Sequence, residues 1–237
     1  MIEGDTSRPQ VWDRLTGLLN ETFTSASGLE VPITQLAVDS GYAATEVYQW
    51  ARKQGHRVVV IKGDSRAAAL LGNPAPIEIG PLGAKINRGV KVWPVNSGMA
   101  KEELYLWLRL ERPTDEDLQH GQCFPPGYCH FPRYSEEYFM QITAEQLVTK
   151  ILKGYRRHEW QKMRERNEAL DCRVYARAAA SRIGLDRYED KHWRAIEDRM
   201  GVPRASEKPS PAVPAAPAGS RPQPQPRQPK RRTWGRF

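Results

Sequence analysis

Apolar residues recur three and four apart at Val11, Trp12, Leu15, Leu18 and Leu19, which predicts a helix over 11–21. A short unbroken apolar run at 33–38 ends in Asp39-Ser40-Gly41 and predicts a buried strand. An amphipathic helix is predicted over 45–54, stopped by Gly55. A second, β-branched strand is predicted at 57–61, followed by Lys62-Gly63-Asp64, and a third at 89–95. Residues 100–110 read as a helix, with Leu104, Trp107 and Leu108 keeping the period. Farther on, the pattern predicts a short strand at 128–131, a short helix at 135–140, another starting at Ala144, and a hairpin over 147–162. Helices are predicted over 167–183 and 188–200, each ended by a glycine, Gly184 and Gly201. Strands alternating with helices favour an α/β fold with a mostly parallel or mixed sheet.

Charge changes the picture once it is localised. The 237 residues carry a formal +8, from 36 Lys and Arg against 28 Asp and Glu. Residues 202–237 hold eight of the basic residues and one acid, Glu207, so they carry +7. The preceding 201 residues are therefore nearly neutral, with 28 basic and 27 acidic side chains. The pattern divides the chain into a globular part, 1–201, and a proline-rich basic tail, 202–237. Proline removes backbone donors and the tail offers almost nothing large and apolar, so an extended, disordered segment is expected. It ends in Lys230-Arg231-Arg232-Thr233-Trp234-Gly235-Arg236-Phe237. That cluster reads either as a docking peptide or as a solvating end.

No apolar run approaches the ~20 residues that span a bilayer, and the N-terminus lacks a basic stretch followed by an apolar one. Three cysteines, Cys123, Cys129 and Cys172, cannot close a disulfide framework, which favours a reducing compartment.

Two acids stand out. Asp39 ends an apolar strand and is followed by small residues; functional groups of open α/β sheets gather at that edge. The competing reading is an aspartate that caps the next turn. Asp171 lies within a helix beside Leu170, Val174, Tyr175 and Ala176, on or next to the buried face, with Glu168 three residues earlier. An acid there is costly unless it is ion-paired or binds a metal. A strand-end carboxylate facing a helix carboxylate is a way to hold divalent ions that activate water, and hard oxygen ligands suit Mg²⁺ or Mn²⁺. His120, Cys123, Cys129 and His130 lack the paired spacing of structural zinc ligands. Neither a Walker-type phosphate loop nor a Gly-x-Ser-x-Gly elbow is present.

A set of stretches, in order, carries a resemblance. They are Ala37-Val38-Asp39-Ser40-Gly41, Val47-Tyr48, Ile61-Lys62-Gly63, and Val95-Asn96-Ser97-Gly98-Met99-Ala100-Lys101-Glu102-Glu103-Leu104-Tyr105. His130-Phe131-Pro132, Trp160, Arg166-Asn167-Glu168-Ala169-Leu170-Asp171 and Tyr175-Ala176 follow. Over about residues 3–200 the chain resembles the GpA-type large terminase subunit of tailed bacteriophages, in its C-terminal nuclease domain.

The resemblance implies a ribonuclease H-like mixed sheet flanked by helices, and a metal-dependent endonuclease that cuts concatemeric viral DNA at packaging. It makes Asp39 and Asp171 catalytic carboxylates, with Glu168 beside them as a metal ligand and Mg²⁺ or Mn²⁺ as the ion. Lys62 and Lys101 become candidates for phosphate contact. Double-stranded DNA, the phage portal protein and the small terminase subunit are the implied partners, the host cytoplasm the implied location, and no membrane is involved. Two departures accompany it: the family's ATPase motor has no counterpart, and the strand bearing a further metal-binding aspartate is missing. The sheet is thus expected to lack its first strands, and the chain to be inactive and poorly stable alone. The alternatives are an inactive truncated prophage remnant and a non-catalytic assembly or portal-docking module.

Overall fold

Valine and isoleucine alternate in facing across residues 58–61, and this one strand explains the layering. Val58 and Val60 face one side of the sheet, Val59 and Ile61 the other, and all four are buried. In the computed structural model, which describes residues 2–25, 28–77 and 89–202, this strand is β4 (Val58–Gly63). It lies between β3 (Leu36–Asp39) and β6 (Lys91–Val95) and runs parallel to both. A two-residue strand, β5 (Ala75–Pro76), pairs antiparallel with β6. The sheet is therefore mixed, in the order β3-β4-β6-β5, with β3 at an edge.

Helices cover both faces. On one, α1 (Pro9–Leu19) and α2 (Ala44–Gln54) close over Val58, Val60 and Val92 with Leu19, Val47, Trp50 and Ala51. Trp12 and Trp50 pack ring to ring at 5.6 Å, and Trp50 Nε1 donates to Thr16 Oγ1 at 2.9 Å. Arg57 binds the carboxyl end of α1 through the Leu19 carbonyl and Asn20 Oδ1. Those cation-to-carbonyl contacts satisfy orphan groups at a helix end. On the other face, α3 (Ser97–Trp107) and α6 (Glu168–Ile183) supply Ala100, Val174 and Ala178 against Val59, Ile61 and Val95. Arg177 fastens these two helices, with Nε 2.6 Å from Glu103 Oε2 and NH2 2.8 Å from Asp186 Oδ1. Gly184 ends α6 at φ 85°, a conformation that residues with a Cβ rarely adopt.

A small hairpin, β1 (Thr22–Thr24) with β2 (Glu30–Pro32), follows α1. Between α3 and α6 come α4 (Asp115–Gln119), α5 (Glu136–Ile142) and a long hairpin, β7 (Glu145–Leu152) with β8 (Tyr155–Lys162). Helix α7 (Asp190–Met200) follows α6, and the chain divides into two units after Met200.

Three expectations differ from what forms. Residues 128–131 form no strand; Tyr128 and His130 pack against Phe124 at 5.0 and 4.6 Å, so rings bury each other instead of a ladder. The segment from Ala144 forms no helix: Ala144 is buried just before β7, which starts at Glu145 and pairs with β8. The buried run predicted from residue 33 is strand only from Leu36, and β3 is half-buried along its length. The tail expected from residue 202 lies, past Val202, outside the described residues. Among the described residues no helix is long and apolar enough to cross a membrane.

Candidate functional site

Asp39 is the last residue of β3, and its register partner is Ile61. Parallel partners share a face, so Asp39 lies on the side covered by α3 and α6. Helix α6 packs along β3, which brings Asp171, in its first turns, over the end of that strand. The Asp39 charge reaches the Asp171 carboxyl. Burial raises the Asp171 carboxyl above the ordinary aspartate value, and the charges of Glu145 and Asp39 push the same way, while Lys101 and Lys162 oppose them. Tyr175, one turn along α6, is raised by its own burial and then by Asp39 and Asp171. Its phenol therefore stays protonated beside both acids.

The loop after β3 is tightly fixed. Ser40 is buried, and both its backbone N–H and its hydroxyl donate to the Ile61 carbonyl at 2.9 Å. Tyr42 is exposed, and Ala43 takes a left-handed backbone at φ 49° just before α2.

Beside the acids lies a buried polar junction. Lys101 Nζ meets Glu145 Oε2 at 2.7 Å with both side chains buried. Asn167 Nδ2 donates to the other Glu145 oxygen at 2.9 Å. The Tyr105 hydroxyl donates to the Glu145 carbonyl and accepts from its N–H. The Asn167 carbonyl in turn accepts the Asp171 N–H at 3.1 Å, and Gln141 Oε1 accepts the Ala169 N–H at 3.1 Å. The start of α6 is thus capped by one side chain, Gln141 of α5, while Asn167 contributes its backbone carbonyl to the first helical bond.

The residues expected at the site separate into two groups. Asp39 and Asp171 are brought together. Glu168 is exposed and paired with Arg166 at 3.4 Å. Lys62 is exposed, and strand alternation gives it the opposite face of the sheet from Asp39. Lys101 is at the site, with its ammonium buried and one donor engaged by Glu145 Oε2. Sequence reasoning missed Glu145, Lys162, Asn167 and Tyr175 as members of the site, and no local pattern marks Glu145. Among the described residues no group of three or more His, Cys, Asp or Glu is placed to hold one metal ion.

The donor set nonetheless fits a hard cation. It is two carboxylates, one of them held above its ordinary value where it lies, and Mg²⁺ commonly takes one or two protein carboxylates and keeps its remaining ligands as water or substrate phosphate.

A three-layer α/β domain with paired acids at the carboxyl end of a strand defines the class. The family model "Terminase large subunit gpA, endonuclease domain" matches residues 1–193, and the chain belongs to this family. It is 33% identical over 196 residues to the terminase large subunit of Escherichia phage lambda, covering 80% of this chain and 28% of that protein. Similarity to the terminase large subunit of Enterobacteria phage P21 is 33% over 193 residues, with the same two shares. The chain thus spans less than a third of these relatives' length. No solved structure matches it.

Proposed function

We propose that the chain is the nuclease portion of a phage terminase large subunit, cutting double-stranded DNA with Mg²⁺ or Mn²⁺ held by Asp39 and Asp171. The convergence of these two acids, from β3 and α6, carries the reading. We take the arrangement of parallel strands and facing helix as ribonuclease H-like. Concatemeric viral DNA in the host cytoplasm is the substrate this reading implies, with the portal protein and small terminase subunit as partners.

The chain's residues divide the work. Asp39 and Asp171 provide hard anionic ligands, and when bound the ion supplies positive charge against the scissile phosphate and acidifies water. Lys101 neutralises Glu145, so this third acid adds structure without competing as a ligand. Lys162, within electrostatic reach of Asp171, supplies cationic charge at the entrance to the site. Tyr175 holds an O–H donor beside both acids.

The test is plasmid cleavage in Mn²⁺ by the chain, whose activity would itself reverse the expectation of an inactive chain, and by Asp39→Asn and Asp171→Asn, with Mn²⁺ titration calorimetry alongside. Both variants should remain folded, bind Mn²⁺ weakly and fail to cut. Cleavage retained in either folded variant, or no Mn²⁺ binding by the unaltered chain, would overturn the assignment.

A further inference from the structure

The β7–β8 hairpin is exposed at every residue from Thr149 to Glu159. A two-stranded ribbon gains little from standing free in water. At its apex Lys153 and Gly154 both take left-handed backbone, φ 52° and 80°, in a two-residue turn. Asparagine or glycine is the usual residue in that first position, and a lysine holds it here.

The charge is one-sided. Residues 146–158 contain no acid, and they include Lys150, Lys153, Arg156, Arg157 and His158. Lys150 is paired with Glu159 at 2.9 Å, while Lys153, Arg156 and Arg157 have no ion-pair partner among the described residues. Arg157 stands directly across the ladder from Lys150, a like-charge pair that the single Glu159 carboxylate offsets only in part. Strand alternation gives Arg157 and Arg156 opposite faces, and Lys153 the apex.

Cations on both faces and the tip suit a partner with negative charge on two sides of a slot. An acidic protein surface would be met by one face alone. A duplex groove has phosphates along both walls, and the major groove admits a two-stranded ribbon. The ribbon also begins at the right place. Its first and last residues, Glu145 and Lys162, lie within electrostatic reach of Asp171. Eight residues per strand reach roughly 25 Å from there, about seven base-pair steps.

We propose that the β7–β8 ribbon is a sequence-independent gripping arm that enters a groove of duplex DNA beside the cleavage site, with Lys153, Arg156 and Arg157 on phosphates. The inference rests on the reading of the chain as a DNA-cutting domain.

The experiment is fluorescence anisotropy of a labelled random-sequence duplex with the full chain in EDTA, over a series of NaCl concentrations. Each phosphate contact contributes a slope of about −0.9 in log K against log salt. The variant Lys153→Ala/Arg156→Ala/Arg157→Ala should flatten the slope by about 2–3 and weaken binding at least tenfold, with an unchanged thermal transition. Arg156→Lys/Arg157→Lys should restore most of the slope relative to alanine. The pair Asp39→Asn/Asp171→Asn should bind at least as tightly as the unaltered chain, since two carboxylates facing phosphate are removed. An unaltered slope in the folded triple variant overturns the arm, even where the aspartate variants stop cutting. Triple-variant loss of binding with cutting retained by the aspartate variants overturns the carboxylate reading and leaves the arm standing. A changed sedimentation coefficient with DNA affinity unchanged assigns the ribbon to a protein contact and also overturns the proposal.

Discussion

A Cβ placed on Gly41 would lie 2.9 Å from Asp39 Oδ2. The Asp39 carboxylate folds back over the residue two positions on, and only a hydrogen there leaves it room. The obstacle is the end of a side chain rather than backbone, so Gly41→Ala should displace the carboxylate and leave the fold intact. A shift near 1 Å at a reacting group costs on the order of 100-fold in rate. We expect Mn²⁺-dependent cleavage to fall by about that factor while the melting temperature holds. A fall in both together would mean that the loop, and not the carboxylate, had given way.

The buried Lys101–Glu145 pair predicts an asymmetric mutational response. Lys101→Met leaves the Glu145 carboxylate buried without its counter-charge, and breaking such a pair costs about 3–5 kcal/mol. Replacing both residues, Lys101→Met with Glu145→Leu, should recover most of that loss, since apolar substitutes of similar volume fill the same space. Urea unfolding of the two variants measures the difference; equal destabilisation would place the pair in water.

Asp171 sets a pH dependence. Its folded value is raised, so over a window starting at the ordinary 3.8 the folded chain keeps a proton that the unfolded chain releases. The stability linked to it is complete below that ordinary value and is lost as pH rises through the raised one. Asp171→Asn removes this titration. The variant's melting temperature relative to the unaltered chain should therefore climb as pH rises from about 3.8 toward neutrality, without metal. A difference independent of pH would show a carboxyl that water reaches freely.

Ala43 offers a stabilising change. It holds φ 49° and ψ 44°, a left-handed backbone that costs a residue with a Cβ about 1–2 kcal/mol. Glycine removes that cost and adds about 0.5–1 kcal/mol of chain entropy to the unfolded state. Ala43→Gly should thus raise unfolding free energy by about 0.5–1 kcal/mol, read from the urea midpoint. A lower midpoint would indicate that the methyl group packs usefully.

The two acids were legible because each announces itself locally. Asp39 closes an apolar run, and Asp171 interrupts a helical face. The layers were legible for the same reason: 58–61 and 167–183 carry their periods over enough residues to be read. Glu145 was not. It follows closely on a short helix, and only pairing with Lys162, across the hairpin, makes it strand. The burial of Lys101 is likewise set by a partner 44 positions away. Strands β1, β2 and β5 hold two or three residues each, too few for any alternation to register. The mutual stacking of Phe124, Tyr128 and His130 satisfied an apolar run that sequence reasoning assigned to a ladder.

Glu145 is where three elements are pinned at once: its carboxylate by Lys101 of α3 and by Asn167 before α6, its backbone by the Tyr105 hydroxyl. A stiff ribbon fixed at its base is a lever, and its fulcrum is this residue. Load applied near Lys153 arrives at Glu145 as torque, amplified by an arm of roughly 25 Å. There it is resisted by Asn167, whose carbonyl holds the Asp171 N–H. Pressure on the tip would therefore bear first on the residue whose neighbour's carbonyl positions Asp171.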